Sequence, residues 1–363
     1  MKSMPEEKKI LRLNMQAFDE SWMLNYATTH LRDNWSPVPW KNELMNFVSD
    51  WLSEADSIAA QTSGSTGVPK NVKLKKEYMK AGAEATLDFF KLNAADKVLL
   101  CLPIKYIAAK MMVVRAFVGK LDLYCIPPSL MPVSEWTPEI DFAAMTPAQL
   151  TNLLESIEGI DFLKRIKKLL LGGGPVPAIL EEKTRALTTE IWHSYGMTET
   201  MSHIALRKVN GDGKSNYFDT LPGVQIAKSM DGCLSLTAPH LGLYGLQTND
   251  MVTIEEDGRF QILGRTDHVV NSGGVKLFPE QIEQKISGFI REAFYVGSLP
   301  DNQLGEKLVL FVESELNSAK EEEKIKALLK EILTGFEVPK EIIFEKRFAR
   351  TESGKIIREK YKS

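Results

Sequence analysis

Cysteine is scarce in this chain of 363 residues. Cys101, Cys125 and Cys233 are scattered, odd in number and never arranged as CxxC. That excludes a disulfide framework and leaves three buried or partly buried thiols in a reducing compartment. The five histidines show neither HExxH nor any paired spacing, so a zinc site built by the protein has no support. A basic excess is missing too. Lys plus Arg number 45 and Asp plus Glu 48, a formal net charge of −3. This argues against coating a nucleic acid, but it leaves room for a small polyanion at one local site. No long apolar run occurs. The most apolar stretch, 106–118, is interrupted by Lys110 and Arg115 and falls short of the roughly 20 residues that a bilayer span needs. The first ten residues, MKSMPEEKKI, have no apolar signal-peptide core. The expectation is a cytoplasmic protein with no membrane span. Internal repeats and low-complexity tracts are absent.

What is present is an ordinary globular composition, 44% hydrophobic and 26% charged. The length suits about two domains. Leu44, Met45, Phe47, Val48, Trp51 and Leu52 recur at helical spacing and predict a helix over 41–55. From there to about residue 195, short apolar runs alternate with helical patterns. Strands are predicted at 57–61, 98–102, 121–126, 142–145 and 168–171, and helices at 75–92, 106–119, 147–157 and 176–187. Thr146-Pro147-Ala148-Gln149 reads as a capping box with Pro at the first helical position. Such alternation predicts an α/β fold of layered, largely parallel sheets flanked by helices. After about residue 205 the pieces shorten. A hairpin is predicted where 251–254 and 260–263 flank Glu255-Glu256-Asp257-Gly258-Arg259. From His268 onward, helices near 279–288 and 318–334 mix with strands near 293–297, 307–313 and 341–346. The chain therefore divides into a large N-terminal domain, 1–266, and a small mixed α+β C-terminal domain, 267–363.

Six segments carry chemistry. Thr62-Ser63-Gly64-Ser65-Thr66-Gly67-Val68-Pro69-Lys70 follows a predicted strand. Its run of hydroxyls and backbone N–H groups can wrap an anion, with Lys70 as a point charge. It is not a Walker A loop; read alone, it could also be a flexible surface loop. Leu171-Gly172-Gly173-Gly174-Pro175 lets a flat ligand approach the backbone, although alone it reads better as a tight turn. His193-Ser194-Tyr195-Gly196-Met197-Thr198-Glu199-Thr200 offers an aromatic face, a hydroxyl and a hard carboxylate suited to Mg²⁺. Thr248-Asn249-Asp250 precedes Gly264-Arg265-Thr266-Asp267, and a carboxylate with an Arg can hold a ribose. Ser272-Gly273-Gly274-Val275-Lys276 and Glu352-Ser353-Gly354-Lys355-Ile356 complete the set. Taken singly, each of these last segments reads as a turn or a solvated charge.

In this order the six segments resemble the adenylate-forming superfamily of acyl-CoA synthetases, firefly luciferases and peptide-synthetase adenylation domains, over about 57–363. The resemblance implies ATP, Mg²⁺ and coenzyme A as reactants with a small carboxylic acid. It implies that Thr62, Ser63, Gly64, Ser65, Thr66, Gly67 and Lys70 hold phosphates, and that Gly173, Gly174 and Tyr195 clasp adenine. Asp250 and Arg265 would bind ribose, Thr198 a phosphate and Glu199 the metal. Lys355 would be the catalytic lysine, Asp267 the hinge, and Gly273 and Gly274 the lining of the pantetheine path.

The chain departs from the superfamily in places. Most of the usual region ahead of the phosphate loop is missing. Tyr106 stands where a His is usual, Asn249 where Gly is usual, and Ala349 where Pro is usual. Within the superfamily the short chain is most similar to the o-succinylbenzoate–CoA ligase branch. That resemblance implies an acid with a second carboxylate, which Lys110 or Arg115, beside Tyr106, or the nearby Lys105, could meet. Other aryl or medium-chain acids, loading of a carrier protein, and a non-catalytic nucleotide-binding relic remain alternatives. Lys355, Glu199 and Asp250 together speak against the relic. A homo-oligomer stays open.

Overall fold

The computed structural model describes residues 10–13, 16–19, 21, 39–61, 71–134, 138–315, 319–350 and 356–358. Strands β1 (Ile10–Leu13) and β2 (Gln16–Asp19) form an edge hairpin. Strands β3 (Ser57–Gln61) and β4 (Asn71–Lys75) pair antiparallel on either side of residues 62–70. The α/β alternation follows. Its strands are β5 (Lys97–Leu100), β6 (Asp122–Cys125), β7 (Ile140–Met145), β8 (Ile166–Leu171) and β9 (Glu190–Gly196). Strands β10 (His203–Lys208) and β11 (Asp219–Thr220) then turn antiparallel.

These make one nine-stranded sheet in the order β11-β10-β9-β8-β7-β5-β6-β1-β2. Its six central strands are mutually parallel. Parallel strands are covered on both faces and so read as continuous apolar runs; Val98, Leu99 and Leu100 are all buried. The expected largely parallel sheet is present.

Several boundaries differ from expectation for local reasons. The helix predicted over 147–157 is two helices, Pro147–Leu153 and Ile157–Lys164. The Ser156 hydroxyl accepts from Gly159 N–H and starts the second. The capping box at Thr146 forms as predicted. Gln149 N–H donates to the Thr146 hydroxyl at 3.1 Å, and the Gln149 side-chain oxygen accepts from Thr146 N–H at 3.0 Å.

Strands β12 (Gln225–Lys228), β13 (Cys233–Ala238), β14 (Leu243–Ile254) and β15 (Phe260–Arg265) form an antiparallel sheet. The predicted hairpin is its last pair, with Asp250 and Arg265 in register. A third sheet holds β16 (Val270–Ser272), β17 (Val275–Leu277), β18 (Phe294–Asp301), β19 (Gly305–Glu313) and β20 (Glu341–Glu345). Residues of helices Pro279–Ile286 and Ala319–Ile332 join this sheet's residues in a core of their own, which begins at Val270, whereas the preceding core ends at Ile262. Among the described residues no helix is long and apolar enough to cross a membrane. None of the three cysteines forms a disulfide among the described residues; burial pushes the Cys101 and Cys125 thiols up to about 12.

Candidate active site

The glycine run and the Tyr195 segment leave the carboxyl ends of neighbouring parallel strands, β8 and β9. In open α/β sheets ligands bind outside the carboxyl ends of the strands. Gly173 has φ +82°, and a Cβ on Gly174 would meet nothing within 4 Å, so the loop borders open space at Gly174. The loop's near end is pinned by Gly172 N–H to the Met145 carbonyl at 3.0 Å and by the Ser194 hydroxyl to the Leu171 carbonyl at 2.7 Å.

Tyr195 ends β9. Its ring lies edge-on to Phe260 and Phe218, and its hydroxyl donates to Asp250 Oδ2 at 2.6 Å. Burial and the Asp250 charge raise the phenol well above its ordinary value. Asp250 Oδ1 stands 3.6 Å from Arg265 Nη1 across the β14–β15 pair. Arg265 in turn clasps Asp267 through Nε–Oδ1 at 2.9 Å and Nη2–Oδ2 at 3.2 Å. Burial alone would raise the Asp267 carboxyl, but the Arg265 hydrogen bonds outweigh it and hold it low. Tyr195, Asp250, Arg265 and Asp267, spread over 73 positions of sequence, thus form one connected chain.

Gly196 is required by packing. A Cβ there would lie 2.4 Å from the Ser202 carbonyl oxygen. Thr198–Thr200 is a single 3₁₀ turn, with Thr198 and Thr200 buried and Glu199 half-buried. After it, Met201 takes φ +59°, and Ser202 N–H donates to the Thr200 carbonyl at 2.6 Å. This is a γ-turn about a non-glycine residue, a strained conformation that costs on the order of 1–3 kcal/mol and collects at functional sites. Nothing in the sequence announced it.

Ser202 faces Arg115, which is 3% exposed and donates Nη2–H to the Ser202 hydroxyl at 2.7 Å. Burial brings the guanidinium down to about 9. The Ser202 hydroxyl lies 3.2 Å from His203 Nδ1. Arg115 Nε and His203 Nε2 are both buried without a partner among the described residues. Lys110 points elsewhere, its ammonium 4.7 Å from the Phe47 ring of helix Pro39–Leu52. Lys105 lies over the ring of Tyr106, which caps the helix Ile107–Gly119.

Gly273 and Gly274 form the two-residue turn between β16 and β17, with φ +60° and +83°. Positive φ at both positions favours glycine for the turn itself. The expected phosphate loop, Thr62 to Lys70, and the expected catalytic Lys355 lie outside the described residues.

Two histidines beside the site are buried and neutral. Burial and the Arg207 charge lower His193 to about 3; burial and the Arg115 charge lower His203 well below the ordinary range. The unfolded chain protonates both near pH 6.5, so their stability contribution is complete above that pH and is lost as pH falls toward 3. The urea midpoint should therefore drop between pH 7 and 5, and drop less in His193→Gln. An unchanged slope in that variant would contradict the assignment.

Residues 4–227 match the family described as AMP-binding enzyme. The chain is 26% identical to the 2-succinylbenzoate–CoA ligase of Listeria monocytogenes, covering 93% of this chain and 75% of that protein. To the Bacillus cereus protein of the same name it is 27% identical, over 85% and 69%. Among solved structures, an acyl-CoA synthetase (AMP-forming)/AMP-acid ligase II-like protein from Dyadobacter fermentans is 36% identical over 88% of this chain and 93% of its own, with a TM-score of 0.61. The O-succinylbenzoate coenzyme A synthetase of Bacillus subtilis, in complex with ATP and magnesium ion, shares the fold at 21% identity over 83% of this chain and 68% of its own, with a TM-score of 0.67. With the sheet order, the glycine loop and the Tyr195–Asp250–Arg265 chain already in place, the match over more than half the sequence settles the affiliation: this chain belongs to the AMP-binding enzyme family.

Proposed function

We propose that the protein is an AMP-forming acid–CoA ligase acting on 2-succinylbenzoate, in the cytoplasm and in the service of menaquinone synthesis. A carboxylate oxygen of the acid attacks the α-phosphorus of ATP and pyrophosphate leaves. The thiol of coenzyme A then attacks the acyl carbon and AMP leaves. The observation that carries the reading is the linkage of Tyr195, Asp250 and Arg265 at the end of the strand that pairs with the one leading into the glycine loop, which borders open space at Gly174. This is a place for a flat base with a carboxylate for its sugar.

The other roles follow from it. Thr62 to Lys70 would take the outgoing phosphates, with Thr198 on a phosphate oxygen and Glu199 on the Mg²⁺ that ATP brings. One carboxylate plus phosphate oxygens and waters suits that small hard cation. Lys355 would stabilise the charge that develops at the α-phosphate. Residues 267–363 would pivot at Asp267, and Gly273 and Gly274 would border the thiol arm.

For the acid, the names of the relatives and the state of Arg115 support the same choice. Arg115 is a buried cation with no carboxylate partner among the described residues; its Nε–H has no acceptor there, and His203 Nε2 is likewise without a partner. An unpaired buried donor is costly, and a second carboxylate on the substrate would satisfy it. Tyr106 and Lys110 would border the acyl entrance rather than hold that group.

The test is pyrophosphate release over a panel of acids, with and without coenzyme A. 2-Succinylbenzoate should exceed benzoate and hexanoate in kcat/KM by about 10³ or more, because a site built around a polar partner rejects analogues that lack it. Arg115→Ala should erase most of that preference while slowing a monoacid much less. Equal rates with all three acids would refute the substrate and leave the ligase reading standing.

A further inference from the structure

His193 lies two residues before Tyr195, 9% exposed, and each of its ring nitrogens has a protein partner. Nε2 is 3.1 Å from the Gly174 carbonyl oxygen, and Nδ1 is 3.2 Å from Arg207 Nε. An Arg N–H only donates. Nδ1 must therefore accept, the ring proton must sit on Nε2, and the Gly174 carbonyl receives it. Arg207 is itself fixed on every side. Nη2 donates to Glu181 Oε1 at 2.7 Å, Nη1 to the Ser215 carbonyl at 3.2 Å, and the guanidinium lies 5.7 Å from the Phe218 ring. Glu181, from the helix Ala178–Lys183, takes Lys214 on its other oxygen at 2.9 Å.

A buried ion pair adds little stability over apolar side chains of the same volume, so its value lies elsewhere, in direction. The near end of the glycine loop is tied down by backbone and by Ser194. Its far end, at Gly174, is tied down by His193. Freed from Arg207, a neutral imidazole could place its proton on Nδ1 and turn a lone pair toward the Gly174 oxygen. The loop would then lose its anchor.

We propose that Arg207, held by Glu181, is a positioning residue for ATP: it sets the His193 tautomer that holds the Gly174 carbonyl, and through it the shape of the base-binding loop. The inference rests on the reading of Gly173 and Gly174 as the adenine site. Neither Arg207 nor Glu181 need touch the nucleotide.

The experiment uses the full chain with ¹⁵N-labelled histidine, the His193 signals being assigned by their loss in His193→Gln. Wild type should show the Nε2–H tautomer. The double variant Glu181→Gln/Arg207→Met removes both charges together, so no ion is left buried alone. It should show mixed tautomers and a KM for ATP raised about tenfold, the scale of one lost hydrogen bond, with kcat within about twofold. Arg207→Lys, which keeps the charge without the fork, should raise the KM in the same direction. Asp250→Ala serves as the reference for a lost nucleotide contact. An unaltered tautomer, or a wild-type KM for ATP while Asp250→Ala raises it, refutes the positioning role and leaves the proposed function intact. If neither variant moves the KM for ATP, the nucleotide site itself is misplaced and both readings fall.

Discussion

Lys355→Ala should lose acyl-adenylate formation by about 10²–10³ in rate, the usual consequence of removing one preorganised charge donor at a reacting centre. The same variant, given preformed acyl-adenylate and coenzyme A, should make the thioester at a near-normal rate. The asymmetry follows from the mechanism. In adenylation the charge builds at the α-phosphate, which Lys355 would face; in thioester formation it builds on the acyl carbonyl oxygen and then on the departing AMP, after the pivot at Asp267 would have carried Lys355 away. The contacts of the described residues on either side of this lysine suit a device that must deliver a charge to a set place. Arg350 and Ile356 form a bridge, and Ile357 N–H donates to the Ala349 carbonyl at 2.8 Å. Arg350 Nη1 reaches Glu313 Oε1 at 2.7 Å, and Arg358 Nη2 reaches Glu283 Oε2 at 2.8 Å. Both flanks of the Lys355 segment are thereby tied to the third sheet and to the helix Pro279–Ile286. Stopped-flow pyrophosphate release and single-turnover thioester formation would separate the two half-reactions. Equal loss in both would refute alternation of the C-terminal domain.

Glu199→Ala should depress kcat for adenylation by about 10² and raise the Mg²⁺ concentration needed for half-maximal rate, with a smaller change in KM for ATP. A metal clamp on a transferring phosphoryl group acts mainly on the transition state, where charge on the phosphate oxygens is redistributed. The turn that carries Glu199 is built to hold one orientation. The Thr200 hydroxyl accepts from Met197 N–H at 2.9 Å, Thr198 and Thr200 are buried, and Met201 is forced to positive φ. A metal titration of initial rates measures the shift. Wild-type kcat together with a wild-type Mg²⁺ response would remove Glu199 from the metal site.

Much of this was legible without coordinates, and for local reasons. Alternation of apolar runs with helical spacing depends on neighbours a few residues apart, so the parallel sheet, the Thr146 cap and the β14–β15 hairpin could all be read from the chain. Strand β9 could not. It carries His193 and Ser194 among its apolar residues, and those polar groups are tolerated only because Gly174 and Leu171 accept their protons. Its segment read as a motif with no assigned element. Strand β4 was hidden as well, since only Leu74 of its five residues is buried.

The cations near Tyr106 mark the same divide more sharply. Lys110 and Arg115 are five residues apart on one helix, about 140° around it at 3.6 residues per turn. They were bound to face different ways, and periodicity says nothing about which way leads to the site. Packing decided it. Lys110 lies against Phe47, while Arg115 meets Ser202, 87 residues on. The sequence by itself determined the elements, the family motifs and the residue types on offer, because those depend on spacing along the chain. Only the tertiary structure determined that Tyr195 meets Asp250, that Arg207 sets the proton on His193 and that Arg115 Nε is left without an acceptor among the described residues. Those contacts join distant segments, and burial, which withdraws water as a partner, dictates where each remaining donor must find its acceptor.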